Sequence, residues 1–176
     1  FVSPNIVISQ FYGGGGNVAG SPHTHDFVEL FNRGDQPVSL NGWSTQYASA
    51  SGSNWLVTPL GNITLQPGQY YLIQYATGGA NGSALPTPDL IAPQVTVGMN
   101  TFVPNLSGTS GKIALVNSTQ QLPASACPVS SSIIDLVGYG ASAACFEGTR
   151  AADLSNTTAA KRNSSGCTDT DNNSSD

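Results

Sequence analysis

Between Asp26 and Tyr75 the chain reads DFVELFNRGDQPVSLNGWSTQYASASGSNWLVTPLGNITLQPGQYYLIQY; apolar and polar positions alternate, stop at a turn dipeptide, and alternate again. A period of two marks a strand with one buried face, because successive side chains leave a strand on opposite sides. Phe27 to Asn32 sets Phe27, Glu29 and Phe31 on one face and Val28 and Leu30 on the other. Ile6 to Tyr12 alternates around Val7 and stops at the glycine run Gly13–Gly16. Pro37 to Leu40 and Trp43 to Tyr47 flank Asn41-Gly42, a dipeptide that predicts a hairpin. Trp55 to Thr58, Ile63 to Leu65 and Tyr70 to Tyr75 follow, the last two separated by Gln66-Pro67-Gly68. Lys112 to Asn117 and Ile133 to Tyr139 complete the series. Eight or nine short strands with frequent turn signals predict an all-β sandwich or barrel.

Two stretches stand outside this pattern. Residues 78–110 are rich in turn formers and predict a long crossover with at most a short strand near Val95. Residues 147–176 hold little apolar content and read as a polar tail, either wrapped on the sandwich or linking to something downstream. The expected organisation is therefore a β domain over residues 1–146 and a polar extension or linker over 147–176.

Composition narrows the class. A chain of 176 residues suits one domain with a real core. Only 9% of its residues are charged, against roughly 25% in an ordinary soluble domain. Uncharged Ser, Thr, Asn and Gln must keep it soluble, a balance common in secreted proteins. Two Glu, two Lys and one Met cannot furnish several amphipathic helices. The net charge is −5, and the five basic residues (Arg33, Lys112, Arg150, Lys161, Arg162) are scattered, which argues against a nucleic-acid surface. No run of about 18 apolar residues exists to span a bilayer. The opening FVSPNIVISQ goes straight into a strand pattern, as expected where a signal peptide has been removed.

The ordered series of strand motifs resembles a known family. Phe27-Val28-Glu29-Leu30-Phe31-Asn32, Leu40-Asn41-Gly42-Trp43, Leu65-Gln66-Pro67-Gly68-Gln69-Tyr70 and Gly111-Lys112-Ile113-Ala114-Leu115-Val116-Asn117 recur in that order in lamin-tail domains. Asp135-Leu136-Val137-Gly138-Tyr139-Gly140 looks like the last strand of the bacterial versions, and the CTDTDNN tail is similar to segments that follow the domain in secreted bacterial proteins. The similarity covers about residues 5–140. It implies an immunoglobulin-like β-sandwich of the bacterial secreted type and a non-catalytic role. Lamin-tail domains serve as interaction modules in nuclear filaments and accompany extracellular nucleases, phosphatases and surface proteins in bacteria. Here the coiled-coil rod and basic patches of the nuclear proteins are absent, so a nuclear role is not expected.

Candidate chemistry is sparse. His23-Thr24-His25-Asp26 is the sole histidine cluster; it could hold a metal on one strand face or form a polar loop entering a strand. Gly13–Gly16 leads into no helix, and Gly108-Thr109-Ser110-Gly111-Lys112 has Leu106 where a Walker loop needs its first glycine, so both read as turns. No serine sits in a nucleophile elbow. Asp135 and Glu147 are isolated along the chain and offer no carboxylate pair. Asp169, Asp171 and Asn173 place oxygens at alternate positions, which suits a hard cation such as calcium. That segment departs from an EF-hand loop with Ser174 at the sixth position, and the competing reading is a solvated polar tail. Of the aromatics, Trp43, Tyr47, Trp55, Tyr70, Tyr71 and Tyr75 would stack on carbohydrate if exposed, but their spacing favours core packing for at least half.

Cys127, Cys145 and Cys167 form no C-x-x-C pair and have no histidine near them in sequence, so one disulfide and an odd thiol are expected rather than zinc. Cys127 and Cys145 flank a single strand-like run and are the expected pair. Cys145 with Cys167 is the competing pair, and Cys167 is expected unpaired or in an intermolecular bond. A disulfide fits an oxidising compartment. The expectation is thus a secreted or cell-surface interaction or structural module that is not an enzyme, taking a protein partner or a second copy of itself, with carbohydrate open and nucleic acid disfavoured. The alternative expectation is an accessory domain of a larger extracellular enzyme such as a nuclease or phosphatase, because the chain stops at Asp176 without a closing strand.

Overall fold

Each strand that the alternation predicts is present, with ends within a residue or two, in a computed structural model that describes residues 3–176. One sheet contains β1 (Ile6–Tyr12), β2 (Phe27–Asn32), β7 (Tyr70–Gln74), β8 (Leu90–Ile91) and β13 (Ala160–Lys161), in the order β13-β1-β2-β7-β8. The other contains β4 (Ser44–Ser49), β5 (Leu56–Pro59), β11 (Gly111–Val116) and β12 (Ile133–Tyr139), in the order β12-β11-β4-β5. Two small pairs complete the set: β3 (Val38–Ser39) with β6 (Thr64–Leu65), and β9 (Val95–Val97) with β10 (Asn100–Phe102). Nearly every pairing is antiparallel; β8 runs parallel to β7. Two antiparallel sheets face to face around one core make an immunoglobulin-like sandwich.

The inner faces meet through Ile6, Ile8, Val28, Leu30, Tyr71 and Ile73 from one sheet and Tyr47, Ile113, Leu115, Val137 and Tyr139 from the other. Phe11 joins them although it lies an odd number of residues from Ile8. A bulge between Ile8 and Gln10 shifts the register of β1, turning Phe11 inward in place of Gln10. Trp55, Tyr47, Tyr71 and Tyr75 are buried, so the core reading of the aromatics holds for these four, while Tyr70 is exposed and stacks on Phe31 at 4.4 Å.

The turns at Asn41-Gly42 and Gln66-Pro67-Gly68 both form, yet neither makes a hairpin. Trp43 donates its N–H to the Leu40 carbonyl at 3.0 Å, with Gly42 at φ 79°. The strands on either side belong to different sheets: β3 pairs with β6, and β4 with β5 and β11. The hairpin expected at Asn41-Gly42 is therefore a corner between sheets. Leu40 and Leu65 are both fully buried at these corners, and their burial pulls the chain across the core instead of back along itself.

The outer face of the β4–β5–β11–β12 sheet is covered as well, which is why all six residues of β11 are buried. Leu122 packs there with Trp55, Ala48, Ala114, Val116, Leu136 and Cys145. Trp55 donates its indole N–H to Ser125 O, and Gln46 ties down the same loop through Gln120 O and the Leu122 N–H. Lys112 points to this side, donating to Gly52 O at 2.7 Å and Ala126 O at 2.6 Å, with its ammonium 5.1 Å from the Trp55 ring centre. Cys127 and Cys145 are bonded, joining the chain before β12 to the chain after it. A loop of this length contributes roughly 3 kcal/mol in the chain-entropy account.

Residues 147–176 lie against the sandwich rather than hanging from it. β13 pairs with the open side of β1, Ala151 bridges Tyr139, and the Asn173 side chain bonds β12 at Leu136 O and Gly138 N. Two sheet edges are thereby covered, and unpaired edges are where β proteins associate wrongly. We expect a chain ending after residue 146 to melt about 10 °C or more below the full chain, given the buried bonds it forgoes. Circular dichroism melts of the two chains check this.

Candidate functional site

The densest group of ionisable side chains lies where this C-terminal segment meets β1 and β12. Asp135 shares the inward parity of Val137 and Tyr139 but sits beyond the apolar core, and its Oδ2 accepts the Ile8 N–H at 2.6 Å across the two sheets. Arg162 follows β13 directly. Its Nε donates to Ile8 O at 2.9 Å, Nη2 to Asp135 Oδ1 at 2.7 Å, and Nη1 to Asp176 Oδ2 at 2.8 Å and Thr168 O at 3.1 Å. The Arg162 N–H also donates to Ser9 O at the bulge. Asp169 stands beside it with Oδ1 3.7 Å from Nη1, while its Oδ2 accepts the Ser3 N–H. Arg33, on the rim, reaches the Cys167 carbonyl at 3.0 Å and lies 3.9 Å from Asp169.

Asp135, Glu147 and Asp169, all buried, bring carboxylate oxygens within 4.8 Å of one another. Asp135 and Glu147, isolated in sequence, are therefore neighbours in space, a correction forced by the fold: residues 145–146 cross β12 at Gly138. A Cβ there would lie 2.0 Å from Cys145 O, so only glycine permits the crossing. No spacing in the sequence reveals this convergence. The nearest signal is the presence of Asp135 inside an otherwise apolar strand.

Burial governs the protonation of these groups. Glu147 is pushed up to about 8, first by burial and then by the Asp135 charge; Asp135 is pushed up to about 6 by burial, against the pull of Arg162 and of the Ile8 N–H. Arg162 is raised, the surrounding carboxylates outweighing its burial. Asp26 forms a separate buried site, with its oxygens accepting the Gly15 and Leu106 N–H groups at 2.8 Å, and burial pushes it up to about 7.

The residues singled out for chemistry fall as follows. Asn173 Oδ1 accepts from Gly138 N and Glu147 N, and its Nδ2 donates to Leu136 O; Asp169 is engaged by Ser3 and the arginines; Asp171 takes a left-handed turn at φ 60°. The oxygens of Asp169 and Asn173, which the sequence offers either to a hard cation such as calcium or to a polar tail, take backbone and guanidinium partners that dock the segment. The His23 ring packs against Tyr12 and Phe27, whereas His25 Nδ1 meets Thr24 Oγ1 at 2.9 Å, so the two take different surroundings. Lys112 is buried among carbonyls, away from any phosphate role. Cys167 carries a free thiol, half-buried beside Ser164 O.

What this geometry can do is fasten chain to chain. The buried Asp26, Asp135, Asp169 and Asp176 carboxylates take backbone N–H or guanidinium bonds, and Glu147 accepts from the Asn173 side-chain amide. A doubly covered immunoglobulin-like sandwich with its polar network at one seam defines a structural or binding domain. The lamin tail domain model matches residues 2–141, and the chain belongs to that family. Its domains are non-enzymatic, immunoglobulin-like interaction or structural modules. No curated protein matches the chain.

Two outcomes are expected. Replacing Arg162 with Met strands Asp135 and Asp176 without their cation, and we expect a loss of about 3–5 kcal/mol in denaturant unfolding. Glu147, Asp26 and Asp135 all bind protons more tightly folded than unfolded. Their contribution is full below the ordinary carboxyl range and is lost as pH rises through about 6 to 8. The melting temperature should therefore fall between about pH 5 and pH 8.5; a flat or rising profile would show these groups ionised in the folded state.

Proposed function

We propose that this chain works as a secreted or cell-surface interaction or structural module without catalytic activity of its own. The observation that carries the reading is how the ionisable groups are used. Arg162, Asp135, Asp169, Asp176, Asp26 and Lys112 are buried and bonded to backbone or to each other, so they hold the fold and face no substrate. Membership of a non-enzymatic family supports the same reading.

The Cys127–Cys145 disulfide supports an oxidising compartment, and the low charge suits an extracellular surface. A protein surface is the favoured partner. Nucleic acid is disfavoured, because burial of Lys112 and Arg162 leaves Arg33, Arg150 and Lys161 as the accessible cations, too few to track a phosphate backbone. Among the described residues, no helix is long and apolar enough to cross a membrane.

Assays of the purified chain on phosphodiester, phosphomonoester and glycoside substrates should give turnover equal to buffer. Turnover abolished by substituting one of the chain's own residues would refute the reading. Fractionation of the native host should recover the chain outside the cytoplasm.

A further inference from the structure

The side of the sandwich away from Arg162 is built differently from the rest of the surface. β5 ends its sheet with no strand hydrogen-bonded beyond it among the described residues, and Pro59 within it lacks the N–H a central strand would need. The β9–β10 hairpin stands nearby, hydrogen-bonded as a pair to itself and to neither main sheet. At its tip Met99 is fully exposed; Val97 is 38% exposed, and Ile91 at the adjoining edge is 65% exposed. Two clefts of about 380 and 280 Å³ lie between this hairpin and β5, both lined by Leu56 and Val97. The larger cleft is walled in part by Asn54, Thr96 and Gln121, the smaller mainly by apolar side chains, so exposed apolar knobs and one apolar-walled hollow share this patch.

Charge says what fits there. Between Asp35 and Lys112 the chain carries one charged side chain, Asp89, and its carboxylate accepts the Leu72 N–H beside β7. The net charge of −5 sits on other parts of the molecule. Two copies that each carry −5 gain no long-range attraction for one another, and approach through the hairpin face brings no charged side chains together. A charged partner gains nothing from this face. A patch holding both knob and hollow is complementary to itself, which is the requirement for a two-fold symmetric contact.

We propose that the β9–β10 hairpin and the open edge of β5 form a self-association face whose occupant is the same face of a second copy of this chain. Met99 of each copy enters the clefts walled by Leu56 and Val97 of the other. This rests on the module reading above and names its partner.

Sedimentation velocity of the full chain from micromolar to near-millimolar concentration tests it, in a Cys167→Ser background so that no intermolecular disulfide contributes. The expected result is a reversible monomer–dimer equilibrium, little affected between about 0.05 and about 0.5 M salt because the contact carries no charge. Met99→Glu and Val97→Lys should each raise the dissociation constant about tenfold or more, as for a central apolar anchor. Their circular dichroism should be unchanged, the hairpin lying outside both main sheets. A chain monomeric throughout overturns the proposal, as does a dimer indifferent to both substitutions or dispersed by salt. A monomer that binds a different protein through the hairpin overturns the choice of occupant while leaving the module reading intact; catalytic turnover would sink that reading without touching this measurement.

Discussion

The sandwich depends on a buried exchange between one guanidinium and the backbone of Ile8. Asp135 belongs to one sheet and Ile8 to the other, so the bond from the Ile8 N–H to Asp135 crosses the interior at its polar end. Arg162 takes the Ile8 carbonyl on the same side and neutralises Asp135. Neither residue could be buried alone, because an isolated ion in a low-dielectric interior costs several kcal/mol. Together they turn an otherwise open edge into a closed seam. Asp169 and Asp176 follow because the same cation accommodates them, and Thr168 adds its carbonyl.

The fold was largely legible because alternation is a local signal. Val28 and Leu30 face inward because the opposite face of their strand carries Glu29, and Ile113 and Leu115 share a face by the same period of two. Asn41-Gly42 was legible as a turn but not as a corner, since a turn's chemistry does not say which strand its arms will pair with. The bulge in β1 was hidden because Ser9 gives no cue that Ile8 and Phe11 share a face. Cys127 and Cys145 could be paired from sequence because a single strand separates them and the chain must double back.

The polar seam was not legible at all. Asp135, Glu147, Arg162 and Asp169 look scattered in the sequence, and tertiary approach alone gathers them. A composition poor in apolar residues reads as a solvated tail, yet residues 160–176 are anchored by backbone and charge-assisted bonds instead of by apolar burial. Docking of this kind leaves no periodic trace, since its partners are carbonyls and amides that every residue carries.

Ser3 donates its N–H to Asp169, and Asp176 lies under Arg162, so Ser3 and Asp176 are held beside one another at the seam. In mechanical terms, tension applied across those two residues is borne by the Ser3–Asp169 and Arg162–Asp176 bonds before it reaches any strand of the inner ladders. The seam would part first, as a fuse does, and the two-sheet core with its Cys127–Cys145 bond would remain unloaded until then.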